Sequence, residues 1–123
     1  MTAEPILIID DNPMNRKLER VLLEIEKYVV QTAHDAEEAL QCLKNFHPRL
    51  ILIDLQLPGM DGLELTQRLK SDPRYKDIPI LILTSYTQKD QEEKAWAAGC
   101  DEYLLKPFDT QTLPAIVGKH IRK

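Results

Sequence analysis

Three short stretches of the chain are apolar without interruption: Ile6, Leu7, Ile8 and Ile9; Leu50, Ile51, Leu52 and Ile53; and Ile80, Leu81, Ile82 and Leu83. A strand with one wet face alternates apolar and polar residues, so unbroken runs of this length are those of strands buried on both faces, as in a parallel sheet. Between them the spacing turns helical. Leu18, Val21, Leu22 and Ile25 are spaced for one helix face, and Ala36, Ala39, Leu40 and Leu43 for another. Tyr28, Val29 and Val30 supply a further strand, and Tyr103, Leu104 and Leu105 a fifth. The pattern predicts five strands with helices at about 13 to 26, 36 to 45, 62 to 71, 88 to 98 and 111 to 122. Alternation of this kind makes βαβ units, and the chain reads as an α/β protein, a (βα)5 sandwich forming one domain over residues 1–123.

Start and stop signals agree with these limits. Asn12 before Pro13 is a cap followed by a first-turn proline, and Asp35 with Glu38 three residues on resembles a capping box. Gly99 suits the left-handed residue that closes a helix. Pro114 and Gly118 weaken the last helix unless it starts near Thr110, which would leave Pro114 in its first turn.

Composition narrows the function. With 123 residues, 43% of them hydrophobic, the chain has material for one core, and a net charge of -4 offers no electrostatic footprint for a polyanion. Neither nucleic acid nor a membrane is expected as a direct partner; a protein or small ligand fits better. Residues 1–5 carry an acid and no base, and no apolar run approaches the roughly 18 residues that span a bilayer. Cys42 and Cys100 show neither a CxxC pattern nor a histidine at metal-ligand spacing, and read as reduced, half-buried thiols of a cytoplasmic protein.

Chemistry gathers where the strands end. Ligands of open parallel sheets bind outside the carboxyl ends of the strands. There the first run breaks into Asp10 and Asp11, the third into Asp54, the fourth into Thr84 and Ser85, and the fifth into Lys106. One such residue is an ordinary cap or loop residue; together they place three carboxylates, a hydroxyl and an ammonium around one crevice. Two unit charges about 4 Å apart interact by about 4 kcal/mol at an effective dielectric of 20, so the cluster calls for a cation. Oxygen donors without a Cys or His group point to Mg2+. Beside such an ion an aspartate can attack phosphorus, with metal, lysine and hydroxyl neutralising the phosphoryl oxygens.

These residues, with the stretch from Leu52 to Gly62 around Asp54 and with Lys106, Pro107 and Phe108, resemble the signature of response-regulator receiver domains (CheY-like), and the match runs from about Ile6 to Ile121. The resemblance implies a flavodoxin-like, doubly wound sheet of order 2-1-3-4-5 with helices on both faces. It implies that Asp54 is the phosphoacceptor, that Asp11, Asp54 and the backbone carbonyl of Gln56 hold Mg2+, and that Asp10 acts through a metal-bound water. It makes Thr84 and Lys106 partners of phosphoryl oxygens, the peptide to Pro107 cis, and Thr84 with Tyr103 the switch. The implied donor is a histidine kinase or a histidine phosphotransfer protein, the implied output a downstream protein, and the only catalysis is of the chain's own phosphorylation and dephosphorylation. Pro58, Gly59 and Gly62 fit the tight loop after the acceptor.

His34, His47 and His120 read as surface histidines, Trp96 as a half-buried packing residue, and Asp90, Glu92 and Glu93 as a solvated helix face. A stand-alone receiver is expected, the chain stopping with its last helix, with a receiver excised from a hybrid kinase or larger regulator as the alternative. A haloacid-dehalogenase-type phosphatase would want an acid two residues after its nucleophile, where this chain has Gln56.

Overall fold

The aliphatic runs become the middle of a single sheet. In a computed structural model, which describes residues 4–84, 89–106 and 111–121, the elements follow as β1 (Pro5–Ile9), α1 (Pro13–Ile25), β2 (Val29–Ala33), α2 (Ala36–Cys42), β3 (Leu50–Asp54), α3 (Gly62–Lys70), β4 (Ile80–Thr84), α4 (Lys89–Ala98), β5 (Glu102–Leu105) and α5 (Thr112–Ile121). All pairings are parallel, in the order β2-β1-β3-β4-β5. The direction of winding reverses between β1 and β3, which puts the crevice at their carboxyl ends.

Successive residues of a strand point to opposite faces, so each unbroken run feeds two cores. Leu7, Ile9, Ile51, Ile53, Ile80 and Ile82 pack with Ala36, Ala39, Leu65, Leu69 and Ala95 of α2, α3 and α4. Ile6, Ile8, Leu50, Leu52, Leu81 and Leu83 pack with Leu23 of α1 and with Leu113 and Val117 of α5. Every residue of β3 and β4 is buried.

The Asn12 cap forms as read; at Asp35 half of the capping box forms, and the Glu38 carboxylate accepts from the N–H of His34, one residue before the cap. The Asn12 side chain accepts from the N–H groups of Met14 and Asn15, and Asp35 from that of Glu38; Gly99 stands at φ 106°. Pro114 is the third residue of α5, inside its first turn.

Three expectations are corrected. Helix α2 stops at Cys42, short of residue 45, because the chain turns there: the N–H groups of Asn45 and Phe46 both return to the Cys42 carbonyl, and Pro48 follows. Helix α1 faces the sheet with Glu19 and Leu23, while Leu18, Val21 and Ile25 remain 49%, 43% and 64% exposed. Its apolar stripe is therefore turned largely to solvent. His120 is buried, and its Nε2 lies 2.9 Å from Glu102 Oε1.

Of the other side readings, two shift: Cys100 is buried rather than half-buried, and Trp96 lies outside both core clusters. His34 and His47 are exposed, Asp90, Glu92 and Glu93 are open to solvent, and Cys42 and Cys100 are free, half-buried and buried respectively. Trp96 is nearly half exposed, its Nε1 donating to Glu92.

Candidate phosphoacceptor site

The strand ends converge. Asp10 follows β1 and is 1% exposed. Its backbone N–H bonds the Ala33 carbonyl on β2, its carbonyl accepts from Arg16 Nη1 at 2.8 Å, and its Oδ1 accepts from the Asn12 N–H at 2.9 Å. Asp11 is exposed at the rim. Asp54 ends β3, buried, with Oδ1 accepting the Gln56 N–H at 3.1 Å. Carboxylate oxygens of Asp10, Asp11 and Asp54 lie within 4.8 Å of one another, as a shared cation requires.

Lys106 stands just beyond β5, its N–H bonded to the carbonyl of Thr84 at 2.7 Å. Its Nζ donates to Asp10 Oδ2 at 3.0 Å and lies 3.7 Å from Asp54 Oδ2 and 3.9 Å from Glu19 Oε2. Burial works against the ammonium, yet the hydrogen bond and charge of Asp10, with Asp54 and Glu19, outweigh it and hold its pKa above the usual value. Burial pushes the Asp54 carboxyl from 3.8 to about 6; Lys106 opposes this and Asp10 adds to it. Asp54 therefore remains mostly ionised at neutral pH while being more basic than an ordinary aspartate.

Glu19 is the residue that sequence reading missed. It projects from α1 beneath the crevice, 1% exposed, and burial followed by the charge of Asp10 pushes its carboxyl from 4.5 to about 8. The signal was present: counted back one turn from Leu23, position 19 is where an apolar residue belongs.

Thr84, the last residue of β4, is fully buried. Tyr103 on β5 is partly buried against the first core. Burial, and then Glu92, push its phenol up while Thr84 beside it pulls the other way. Ser85, Pro107 and Phe108 lie outside the described residues, and with them the cis peptide expected before Pro107.

The loop after Asp54 is held by glycines. Gly59 stands at φ 72°, in the left-handed region. Gly62 donates its N–H to the Leu55 carbonyl, and a Cβ on it would meet the Asp54 carbonyl oxygen at 2.6 Å and Leu55 Cα at 2.9 Å. Neither atom can swing aside. Gly62→Ala is expected to cost about 1 to 3 kcal/mol, as overpacking does, read as a lower urea midpoint; an unchanged midpoint would contradict the close approach.

The sequence matches the response regulator receiver domain family over residues 6–118. The polar-differentiation response regulator DivK of Brucella ovis is 39% identical over 106 residues, which is 86% of each chain. RpaA of Synechocystis, a DNA-binding master transcriptional regulator, is 40% identical over 118 residues, 96% of this chain and 49% of RpaA. Among solved structures, the receiver domain of a sensor histidine kinase from Pseudomonas aeruginosa, with a magnesium ion coordinated in its active-site cleft, superposes with a TM-score of 0.90 at 28% identity, covering 99% of this chain and all of that one. A family match that takes in every strand of the sheet, on a fold that gathers three aspartates at its switch point, leaves one assignment: the chain belongs to the response-regulator receiver domains of two-component signalling systems.

Proposed function

We propose that Asp54 is the phosphoacceptor and that its carboxylate takes a phosphoryl group from a phosphohistidine on a histidine kinase or histidine phosphotransfer protein. The observation that carries this is the joint position of Asp54: at the end of a central strand, beside two further aspartates, and 3.7 Å from a lysine ammonium. In the transfer an Asp54 oxygen forms a bond to phosphorus as the bond from phosphorus to the donor's imidazole nitrogen breaks, and the nitrogen keeps the electron pair. Lys106 and Thr84 supply the ammonium and the hydroxyl for the transferred oxygens.

The residues fit Mg2+. Their donors are all oxygen, and carboxylate oxygens of Asp10, Asp11 and Asp54 lie within 4.8 Å of one another, close enough to share one cation. Asp11, Asp54 and the backbone carbonyl of Gln56 would hold the ion, with Asp10 acting through a water. Held there, the ion would supply positive charge to offset the acids and the incoming phosphoryl oxygens.

The switch belongs to the same proposal. The Thr84 hydroxyl turns to the phosphoryl group, Tyr103 follows inward, and the surface of α4, β5 and α5 changes for a protein that reads it. The chain acts as one receiver domain through protein contact, in the cytoplasm, catalysing only its own phosphoryl uptake and loss. Among the described residues no helix is long and apolar enough to cross a membrane.

Incubation with a small phosphodonor such as acetyl phosphate should add one phosphoryl group per chain by intact mass when Mg2+ is present and none when it is chelated. Uptake indifferent to chelation would refute the metal-assisted reading.

A further inference from the structure

A buried ammonium has three N–H donors and needs three acceptors. In this pocket Lys106 hydrogen-bonds Asp10 at 3.0 Å, while Asp54 at 3.7 Å and Glu19 at 3.9 Å stand at ion-pair distance and complete a ring of acids. Two of the three are residues that the phosphoryl chemistry itself needs. Glu19 is not, and it comes from a different element, the sheet-facing side of α1.

We propose that Glu19 is a positioning residue for Lys106: its inward carboxyl oxygen anchors the ammonium from the helix side, leaving Asp10 and Asp54 available to the metal and the phosphoryl group. The inference rests on Lys106 being the partner of a phosphoryl oxygen. An acid at this place is not explained by folding. Leu23, one turn further along the same face, is fully buried in an aliphatic cluster, and a leucine at 19 would continue it. Glu19 instead encloses an oxygen, Oε1, that has no hydrogen-bond partner among the described residues, and an enclosed, unpaired acceptor destabilises a fold. Its other oxygen is the one that faces Lys106.

What the anchor requires is an acceptor oxygen, not a charge. Glutamine at 19 keeps that oxygen and can also donate an N–H to Asp10; leucine removes it. Without it the ammonium leans on Asp10 and Asp54 and competes with the ligands that should engage them.

The test compares wild type, Glu19→Gln and Glu19→Leu in full-length protein, by calorimetric titration of Mg2+ and then of beryllofluoride in saturating Mg2+, with the Lys106 Nζ resonance followed by NMR. Glu19→Leu should bind both about tenfold more weakly, as loss of a group that orients ligands commonly does, with a displaced Nζ resonance and a higher melting temperature. Glu19→Gln should bind both about as wild type does. Wild-type affinity in Glu19→Leu would overturn the proposal, and so would equal losses in both variants, since packing or charge would then be at work. Failure of wild type to bind beryllofluoride would overturn the phosphoryl reading and this inference with it. A wild type that binds, beside an unaffected Glu19→Leu, overturns this inference alone.

Discussion

Replacing Asp54 with alanine is expected to take phosphoryl uptake from one group per chain to none while leaving the protein folded. Three aspartates share the pocket, and their surroundings set them apart. Asp10 is almost wholly enclosed, and its oxygens are committed to the Asn12 N–H and the Lys106 ammonium. Asp11 is exposed at the rim, away from the strand frame that fixes a nucleophile. Asp54 closes a strand paired on both sides, with Ile53 against Ile9 and Ile82 and Asp54 itself against Leu83. One of its oxygens is steadied by the Gln56 N–H, and its basicity is raised without loss of its charge at neutral pH. Intact mass spectrometry after acetyl phosphate treatment reads the result, with a thermal melt to show that the variant is folded. Equal labelling of wild type and Asp54→Ala would move the acceptor to another residue.

A second large effect concerns stability against pH. The folded values of Asp54, about 6, and Glu19, about 8, lie above their ordinary values of 3.8 and 4.5. Between those limits the folded chain holds protons that the unfolded chain has released. Stability is then fullest below about pH 4 for these groups and falls as pH rises through their folded values, with slope set by the difference in bound protons. Each pKa unit corresponds to about 1.4 kcal/mol. The two acids share charges, so their shifts do not simply add, and the loss between pH 5 and 8 is on the order of a few kcal/mol, or about 10 °C in melting temperature for a domain of this size. Chelated protein should therefore melt lower at pH 8 than at pH 5. Saturating Mg2+ should reduce the share of the slope that comes from Asp54, because an ion that binds its deprotonated carboxylate in the folded state stabilises the fold more as pH rises. A flat melting profile in chelator would show that the acids are not held in this strained arrangement.

Much of this was readable in the sequence because burial on both faces leaves a strand no polar residues, and each strand announces its end by the first charge. Asp10, Asp11, Asp54 and Lys106 stand out in that way, and Thr84, which carries no charge, stands out as the first polar residue after its run. The reading failed on α1. Leu18, Val21, Leu22 and Ile25 make a good helical stripe, but only tertiary packing decides which stripe meets the sheet, and here the sheet took Glu19 and Leu23. An acid at 19 lies off that stripe, so the periodicity gives it no place in the core. His120 was hidden for a related reason: a polar residue near the end of a chain looks solvated until its partner, Glu102 on β5, is seen. Nor could spacing show that Gly62 lies against the Asp54 carbonyl, since that approach joins a strand end to a helix start through a loop.

The complete burial of β3 and β4 has an evolutionary consequence. Asp54 and Thr84 are held by a frame with no surface of its own, so the outer sides of the helices can change without disturbing them. Reactivity and recognition are thereby encoded in separate sets of positions. Substitutions on the exterior can therefore accumulate while the buried strands that carry Asp54 and Thr84 stay as they are.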